Sequence, residues 1–525
     1  MFNIATLLET SARVNPDKTA IVFGGHIRLT YKQVNEMANQ VANGLQAAGV
    51  RKGDKVALSC PNLPYFPILS YGIMKAGAAL VPLNVLLKHR EIAYHLSDSE
   101  AVAYICFEGT ETLPMAQEGH AGFKEAQTCA HLWTIPRVPG ADSPIAGVPT
   151  LMDLMHQRPN TFETVSTRPD DTSVIIYTSG TTGRPKGAEL THSNLMLNCM
   201  VIDRMSRTQA EDVMLVVLPL FHSFGFTCMM QAGFYAGATL VLLPRFDPAD
   251  VFSALQDEKV TMFAGVPTMY WDLLNYKDAD KYDLDSIAKN LRLCTSGGAA
   301  MPVEVMRKFE ERFHVPILEG YGLSETSPVA SFNQLDKPRK PGSIGVPVWG
   351  VEMKIVDNDM NELPVGETGE IVIRGHNIMK GYYKRDEAND EAFRGGWFHS
   401  GDLGYKDADG YYFIVDRSKD MIIRGGFNVY PREVEEVLMT HPEISLAAVV
   451  GIPHEEHGEE VMAYIISEPG SRITDREIIA WSKAEMAAYK YPRHVQLVKA
   501  LPMGPTGKIL KTELRKQAAE AMQAS

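Results

Sequence analysis

Residues 177–187 read Tyr177-Thr-Ser-Gly-Thr-Thr-Gly-Arg-Pro-Lys-Gly187, a loop of glycines, hydroxyl residues and one lysine that follows a predicted strand at 173–177. The glycines let the backbone approach an anion and adopt positive φ, while the hydroxyl groups and the lysine contribute hydrogen bonds and charge. A Walker P-loop requires Gly-Lys-Ser/Thr, but Lys186 lies between Pro185 and Gly187. The stretch therefore predicts a phosphate site of a different kind.

Apolar, β-rich runs alternate with helical patterns through the middle of the chain. Strand-like blocks at 173–177, 212–218 and 238–243 are separated by longer periodic segments. Pro302 is expected at the first helical position of a segment with one buried face. The residues of that face are Val305, Met306, Phe309 and Phe313. This alternation predicts a mainly parallel α/β architecture.

The pattern changes near Val346, where short strands with frequent Gly and Asp begin, as at 369–374. We expect a small β-rich unit there. A new helix is predicted to begin at Pro431, and α/β alternation then resumes. The sequence therefore predicts an N-terminal domain at 1–417 and a C-terminal domain at 418–525.

Composition argues against several classes of partner and site. The 525 residues include 51 Lys plus Arg and 64 Asp plus Glu, a formal net charge of -13 that disfavours nucleic acid as a partner. The 6 cysteines lie far apart without a Cys-x-x-Cys pair, so neither a disulfide framework nor a zinc site is expected. A reducing, cytoplasmic location fits this cysteine usage best.

Targeting and membrane-spanning segments are not predicted. The sequence at 1–4 lacks the basic and apolar regions of a secretory signal, and the last residues are not Ser-Lys-Leu. The most apolar stretch, 71–87, is interrupted by Lys75 and Pro82 and falls short of the roughly 20 apolar residues of a spanning helix. Peripheral contact with a membrane and assembly into a homodimer both stay open.

The phosphate loop is followed by further short motifs that resemble the signature set of the adenylate-forming superfamily of acyl-CoA synthetases, luciferases and peptide-synthetase adenylation domains. The resemblance spans nearly the whole chain, and the motifs agree in order and spacing. They are Pro219-Leu-Phe-His-Ser-Phe-Gly225, Ser296-Gly-Gly-Ala-Ala300, Tyr321-Gly-Leu-Ser-Glu-Thr326, Ser400-Gly-Asp-Leu-Gly404, Val415-Asp-Arg-Ser-Lys-Asp420, Gly425-Gly-Phe-Asn428 and Pro505-Thr-Gly-Lys508.

The resemblance implies both a fold and a reaction. The implied fold is a large N-terminal adenylating domain of two α/β subdomains plus a small β-barrel-like subdomain, followed by a small mobile α+β domain with its hinge near Lys419. The implied enzyme is an ATP-dependent acid:CoA ligase of the acyl-CoA synthetase type. A carboxylic acid and ATP would form an acyl-adenylate and pyrophosphate, and coenzyme A would then displace AMP. ATP, Mg²⁺ and coenzyme A are the implied cofactors, and a small-molecule carboxylic acid is the implied substrate.

The same resemblance assigns residues to the nucleotide. Glu325 would bind magnesium and Thr326 would donate to a phosphate. Asp402 would accept hydrogen bonds from the ribose hydroxyls, and Arg417 would reach the ribose or a phosphate. The other implied nucleotide-binding residues are Thr178, Ser179, Gly180, Thr181, Thr182, Gly183, Lys186, Gly297, Gly298, Ala299, Glu319, Gly320, Tyr321 and Gly322.

Two further roles are implied for the C-terminal domain. Lys508 would stabilise charge at the carboxylate and the α-phosphate during adenylation, and domain closure would bring it into place. After a rotation about Lys419, the loop formed by Gly425, Gly426 and Phe427 would approach the site and admit the pantetheine arm of coenzyme A.

An acyl pocket is implied beside His222, which would lie near the adenylate carbonyl. The implied pocket residues are His222, Phe226, Val266, Gly320 and Val329, with Phe224, Thr227, Met229 and Met230 as further candidates. Met and Phe suit an aliphatic chain or an aromatic ring. We expect a medium- or long-chain fatty acid, with an arylpropenoate such as coumarate as the alternative.

Other reaction classes stay open on this scaffold. A luciferase-like monooxygenase would adenylate its acid and then oxidise it. A peptide-synthetase adenylation domain would prefer amino acids and load a carrier protein. A non-catalytic nucleotide-binding protein is hard to reconcile with the presence of Lys508, Glu325 and Asp402 together. His454 and His457 have a spacing compatible with metal binding but no evident further ligand, and we interpret them as part of a polar loop.

Overall fold

The structure is a computed structural model and describes residues 2–178, 184–417, 420–454 and 457–524. Its strands are β1 (Thr19–Phe23), β2 (Ile27–Thr30), β3 (Lys55–Ser59), β4 (Ala79–Pro82), β5 (Ala101–Phe107), β6 (His131–Ile135), β7 (Thr172–Thr178), β8 (Lys186–Thr191), β9 (Val213–Val216), β10 (Thr239–Leu242), β11 (Met262–Gly265), β12 (Leu293–Ser296), β13 (Ile317–Gly322), β14 (Val329–Phe332), β15 (Val346–Pro347), β16 (Val351–Val356), β17 (Gly369–Gly375), β18 (Gly381–Tyr382), β19 (Phe398–Lys406), β20 (Tyr412–Arg417), β21 (Ile422–Arg424), β22 (Phe427–Val429), β23 (Ile444–His454), β24 (Gly458–Ser467) and β25 (His494–Leu497).

Helices cover these sheets. They are α1 (Thr6–Val14), α2 (Tyr31–Ala47), α3 (Tyr65–Lys75), α4 (His89–Asp98), α5 (Met115–Glu125), α6 (Leu151–Met155), α7 (His192–Ser206), α8 (Ala232–Ala236), α9 (Pro248–Asp257), α10 (Pro267–Leu274), α11 (Leu284–Asn290), α12 (Val303–Phe313), α13 (Asp386–Ala392), α14 (Pro431–Leu438), α15 (Asp475–Glu485) and α16 (Lys511–Ala524). A π-helix spans Phe224–Gln231, and 3-10 turns span Ala279–Lys281, Ser324–Thr326 and Arg394–Gly396.

Local sequence explains where several helices begin. Thr30 accepts a hydrogen bond from the Gln33 N–H and the Gln33 side chain accepts from the Thr30 N–H, a reciprocal cap at the start of α2. Helices α9, α10 and α14 each have a proline in their first turn, where its missing N–H costs nothing. Pro302 differs from the prediction: with φ −62° and ψ 128° it is the extended residue before α12 rather than its first helical residue. The predicted buried face of that helix is confirmed.

The N-terminal part contains two large sheets whose inner strands are parallel. One has nine strands in the order β15-β14-β13-β12-β11-β9-β10-β1-β2, and the other has seven in the order β18-β8-β7-β4-β3-β5-β6. Strands β10, β9, β11, β12 and β13 are all parallel to their neighbours within that run, and antiparallel strands lie at the edges. Parallel strands place their carboxyl ends at one edge of the sheet, where α/β proteins bind ligands.

A small β-rich unit and a separate C-terminal domain complete the fold. Strands β16, β17, β19 and β20 form a four-stranded antiparallel sheet. After it, β21 to β25 form a five-stranded sheet covered by α14, α15 and α16, with apolar clusters of its own. The chain is therefore mixed α/β, with a large N-terminal domain and a smaller C-terminal domain, as the sequence predicts. No helix in the described part of the chain is long and apolar enough to cross a membrane.

Candidate active site

A cavity of about 590 Å³ opens where β7, β12 and β13 end, and a loop of the C-terminal domain forms part of its wall. Its lining divides into two parts. The polar end includes Thr178, Lys186, Gly297, Gly298, Gly320, Tyr321, Gly322, Ser324, Glu325, Tyr382 and Lys508. The apolar branch includes Ile202, Met205, Ser206, Met214, Cys228, Met229, Met262, Leu293, Val329 and Phe332.

The hairpin β7–β8 sets two residues of the polar end opposite each other. Thr178 and Lys186 are register partners in this antiparallel pair, so a hydroxyl and a positive charge flank the same opening. The Lys186 Nζ also lies over the Tyr382 ring, 5.1 Å from its centroid. The remaining residues predicted for this loop, 179–183, lie outside the described residues.

Glu325 is a buried carboxylate in the wall of the polar end. Its Oε1 accepts hydrogen bonds from the Thr178 hydroxyl at 3.1 Å and from the Tyr382 hydroxyl at 2.9 Å. Burial, together with the negative charge of Glu325, raises the pKa of Tyr382 far above its ordinary value, so this tyrosine stays a donor. Both of these contacts orient the carboxylate toward the cavity wall that Thr178 and Tyr382 share.

Thr326 occupies a different position from the one predicted for a phosphate donor. It is fully buried, and its hydroxyl bonds to the carbonyls of Leu323 and Pro328 within the turn. It also accepts from the Leu323 N–H at 2.8 Å. Ser324 and Glu325 contribute to the cavity lining instead, because successive side chains of a 3-10 turn point about 120° apart and the third one faces the backbone.

Tyr321 and Asp402 connect β13 to the small β-rich sheet. The Tyr321 hydroxyl donates to Asp402 Oδ2 at 2.6 Å, and the carboxylate is buried. Asp402 is the register partner of Arg417 across β19 and β20, so the chain brings these two predicted residues side by side. The side chain of Arg417 lies outside the described residues.

Glu319 lies behind the cavity wall rather than in it. Its Oε2 accepts from the Gly342 N–H at 3.0 Å, and 5% of the residue is exposed. Burial raises the pKa of Glu319 to about 7, although the Arg432 charge and the N–H groups of Gly342 and Met301 oppose that rise. Glu319 is therefore a buried carboxyl that contacts backbone N–H groups and lies near Arg432 of the C-terminal domain. Ala299, also predicted for the nucleotide, is exposed beside the lining residues Gly297 and Gly298.

Lys508 is carried into the polar end by a tight turn. The Gly504 N–H donates to the Lys508 carbonyl at 2.8 Å, and Gly507 adopts φ +75°. The Thr268 hydroxyl donates to the Gly507 carbonyl at 2.5 Å, which fastens this turn to α10 of the N-terminal domain. The Lys508 side chain passes so close to Gly298 that a Cβ there would lie 3.1 Å from the Lys508 Cε.

We call the Lys508 turn docked, because it is bonded to Thr268 of the N-terminal domain. The docked Lys508 also affects His222, which lines the cavity. Burial lowers the pKa of His222, and the nearby Lys508 charge lowers it further, to about 3. The imidazole is therefore neutral at neutral pH and places no second cation beside the lysine.

Family models match most of the chain. A model described as AMP-binding enzyme matches residues 8–383, and a model of the AMP-binding enzyme C-terminal domain matches residues 433–508. The chain belongs to the AMP-binding enzyme family. The predicted boundary at 417 and 418 falls between the two matched segments and stays a prediction.

Relatives of this AMP-binding enzyme are CoA ligases. The chain is 36% identical to a long-chain-fatty-acid–CoA ligase of Bacillus subtilis (strain 168), over 98% of this chain and 95% of the relative. It is 37% identical to a feruloyl-CoA synthase of an Amycolatopsis species, over 96% of this chain and 97% of the relative. The protein is therefore an acyl-CoA synthetase, an acid:CoA ligase that uses ATP, Mg²⁺ and coenzyme A.

Solved structures of one relative differ in how closely they match. The ATP-bound crystal structure of MatB from Rhodopseudomonas palustris has a TM-score of 0.89, covering 99% of this chain and 100% of that one at 30% identity. The apo crystal structure of MatB, with the same identity and coverage, has a TM-score of 0.80. This synthetase thus resembles the ATP-bound form more closely.

The residues that line the cavity differ in part from those predicted for the acyl pocket. His222, Gly320, Val329, Phe224 and Met229 line the cavity, but Phe226, Thr227, Met230 and Val266 are not among its described lining residues. The π-helix explains the difference at Phe226: its wider turn sets Phe224, Cys228 and Met229 on one face, and Phe226 packs edge-on against Phe66. Val266 instead contacts the C-terminal loop, with its Cγ2 2.8 Å from the position of a Cβ on Gly507.

The residues predicted to approach coenzyme A lie away from the cavity. Phe427 is 56% exposed and stacks on Tyr489, with the ring centroids 4.8 Å apart. Gly425 and Gly426 adopt φ +55° and +83° in the turn before it. The hinge residue Lys419 lies outside the described residues. His454 and His457 stack on each other, and no group of three metal-ligating side chains is found among the described residues.

Sequence reasoning missed Tyr382 and most of the apolar branch. Tyr382 lies on β18, which pairs with β8 of the hairpin β7–β8, here called the phosphate hairpin. The sequence Gly-Tyr-Tyr around it carries no signature of a binding residue. The branch residues Ile202, Met205, Met214, Met262 and Leu293 come from four separate elements. In the sequence each reads as ordinary core, and only the folded arrangement brings them to one wall.

The raised pKa of Glu319 predicts a pH-dependent stability. The folded protein holds this proton more tightly than an unfolded carboxyl with a pKa of 4.5, so the stabilising contribution is complete below about pH 4.5 and is lost as the pH rises through about 7. We expect Glu319→Gln to gain stability relative to wild type across this window, by up to about 3 kcal/mol. Denaturant melts at several pH values measure it.

An exposed carboxyl supplies the control for that experiment. Glu367→Gln is the comparison, because Glu367 lies at the surface rather than in a buried site. A difference between Glu319→Gln and wild type that changes with pH no more than that of Glu367→Gln would contradict a raised pKa.

Proposed function

We propose that this synthetase activates a medium- or long-chain fatty acid. The observation that carries the proposal is the apolar branch, which leads away from the polar end and contains Met205, Met214, Met229 and Met262. Methionine side chains are flexible and polarizable, and they adapt to an unbranched chain. The described residues that line the branch include no lysine or arginine, and Arg292 behind Met262 is already paired with Asp212, so the lining favours a monoacid with an apolar tail.

In the first step, the substrate carboxylate attacks the α-phosphorus of ATP, and the bond to pyrophosphate breaks. Two anions must approach each other, so positive charge at the point of attack lowers the barrier. We assign this role to Lys508, with Lys186 and the hydroxyl of Thr178 at the phosphates on the opposite side. Neutral His222 would border the carbonyl without competing for the carboxylate.

The donor set fits a magnesium ion bound mainly through the nucleotide. Mg²⁺ prefers hard oxygen ligands and commonly takes one or two carboxylates together with phosphate oxygens and water. Glu325 offers one buried carboxylate, held in orientation by Thr178 and Tyr382. When bound, the ion would neutralise charge on the phosphates, and Glu325 is the residue we propose to hold it.

The nucleoside would lie between Tyr321 and the turn after β12, which contains Gly297 and Gly298. Gly297 and Gly298 leave room for a flat base against the backbone, and Asp402 is already oriented by the Tyr321 hydroxyl. A carboxylate has lone pairs to spare for both ribose hydroxyls while keeping that bond.

The docked Lys508 supports an adenylating orientation of the C-terminal domain. The closer match to ATP-bound than to apo MatB agrees with this interpretation. In the second step the thiol of coenzyme A attacks the acyl carbonyl, AMP leaves, and the thiol proton passes to solvent or a nearby base. We propose that rotation near Lys419 exchanges the Lys508 turn for the Gly425–Phe427 loop before this step.

Gly507→Ala tests the docked orientation. A side chain there would have its Cβ 2.8 Å from the Val266 Cγ2 and would force a residue with φ +75° into an unfavourable region. We expect adenylation, measured as pyrophosphate exchange, to fall about tenfold, while thioester formation from a supplied acyl-adenylate is retained.

Gly470 offers a matched control for that variant. It has φ +86° in the same domain, but a Cβ there would meet nothing within 4 Å. Gly470→Ala therefore carries the backbone strain without the contact and should leave pyrophosphate exchange near the wild-type rate. An equal loss in both variants would argue against the docked turn.

The experiment that tests the proposed function is pyrophosphate release with ATP and Mg²⁺ across fatty, arylpropenoic and amino acids, with and without coenzyme A. Thioester formed from fatty acids in preference to the others supports the proposal. Preference for ferulate or coumarate would favour an arylpropenoate substrate, the alternative that similarity to a feruloyl-CoA synthase supports. Acyl-adenylate that coenzyme A does not convert to a thioester would contradict a CoA ligase.

A further inference from the structure

We propose that Arg292, paired with Asp212, closes the far end of the apolar branch and limits the length of the acyl chain. The inference rests on the proposed function, because it concerns the acid that the branch would hold. It adds a specificity-determining residue that lies at the opposite end of the sheet from the phosphates.

The position of this pair follows from the topology. Strands β9, β11 and β12 are neighbouring parallel strands, and Asp212, Thr261 and Arg292 each come directly before one of them. The phosphate-side residues follow the same strands at their carboxyl ends, as Gly297 does after β12. From Leu293 to Gly297 a strand rises roughly 13 Å at about 3.3 Å per residue, so the branch is deep enough for an extended chain.

Arg292 touches the wall of the branch directly. Its Nη2 lies 3.2 Å from the Met262 sulfur, and its Nη1 donates to the Ser206 carbonyl at 3.1 Å. Both of those residues line the cavity, as does Leu293, the next residue in the chain. The arginine side chain is 34% exposed, so the guanidinium lies between the end of the branch and solvent.

Asp212 holds the arginine in this position. The carboxylate is nearly fully buried, and it accepts from Arg292 Nε at 2.8 Å and Nη2 at 2.5 Å. It also accepts from the Thr261 hydroxyl and the Gln209 N–H, both at 2.7 Å. A two-point contact to an anchored carboxylate fixes the guanidinium plane, which a single contact would leave free to turn. The branch therefore ends at a rigid polar plug.

The test is a chain-length profile. For wild type and Arg292→Ala, kcat/KM for thioester formation is measured with saturated acids from butyrate to behenate. We expect Arg292→Ala to accept longer acids. For acids longer than the wild-type optimum, kcat/KM divided by kcat/KM for the optimum acid should rise about tenfold. That is the effect of burying roughly two further methylene groups. An unchanged profile in folded Arg292→Ala overturns the inference.

Two variants distinguish closure of the branch by Arg292 from a general effect of losing an arginine. Arg292→Lys keeps a cation of similar reach that can still pair with Asp212 and should retain the wild-type length limit. Arg312→Ala removes another partly exposed arginine, which donates to the carbonyl of Leu274 at 2.9 Å, and Leu274 is not a lining residue, so this variant too should retain the limit. Extension of the profile in either variant would contradict the assignment.

Folding and substrate class are controlled separately. If Arg292→Ala alone does not fold, Arg292→Ala with Asp212→Asn removes the unpaired buried charge and should show the same extended profile. A wild-type enzyme that makes thioesters from aromatic acids but from no fatty acid overturns the proposed substrate and, with it, this inference. Fatty-acid activity with the same length limit in every variant overturns the inference alone.

Discussion

Replacing Lys508 by alanine is expected to slow formation of the acyl-adenylate by about a hundred- to a thousandfold. The amine is the positive group that the docked turn brings beside Gly298, and it would offset charge at the site of attack. Losing one oriented donor at developing charge typically costs about this much. ATP–pyrophosphate exchange measures the step.

The second half-reaction distinguishes this role from a loss of fold. With a supplied acyl-adenylate, Lys508→Ala should form thioester from coenzyme A at close to the wild-type rate, because Lys508 would be away from the site in that orientation. Lys499→Ala, an exposed lysine of the same domain, should leave both half-reactions intact. If Lys508→Ala slowed both steps equally, the division of labour proposed for the C-terminal domain would be wrong.

The second large effect is expected for Glu325→Gln. Glutamine keeps an oxygen that can accept from Thr178 and Tyr382, but it removes the negative charge. We expect adenylation to fall about a hundredfold and the Mg²⁺ concentration needed for half-maximal rate to rise about tenfold, because a neutral amide binds this ion poorly. A Mg²⁺ titration of pyrophosphate exchange measures both.

An exposed carboxylate on the neighbouring helix serves as the comparison. Glu387 lies in the first turn of α13 and is not among the lining residues, so Glu387→Gln should leave the Mg²⁺ titration unchanged. A Glu325→Gln enzyme that lost activity at every Mg²⁺ concentration, with no shift in the midpoint, would point to a positioning role for Glu325 instead of metal binding.

Short motifs identify the polar end because each of its parts is local. The phosphate hairpin, the β12 turn and the 321–326 segment each combine glycines or hydroxyls within a few residues, and the folded chain brings Thr178, Lys186, Tyr321 and Glu325 to one opening. Thr326 shows the limit of this reasoning. A motif names the residues of a turn, but whether a hydroxyl faces the ligand or the backbone depends on the turn that forms.

The alternation of apolar runs was enough to predict an α/β chain with a separate C-terminal domain. The adenylate-forming enzyme was implied by the resemblance of the ordered motifs to that superfamily. Both the runs and the motifs are local features, which the printed sequence contains. The wall of the apolar branch did not follow, because Met205, Met214, Met262 and Leu293 become neighbours only through sheet order. Arg292 and Asp212, 80 positions apart, meet for the same reason: parallel strands gather residues that are distant in sequence at one edge.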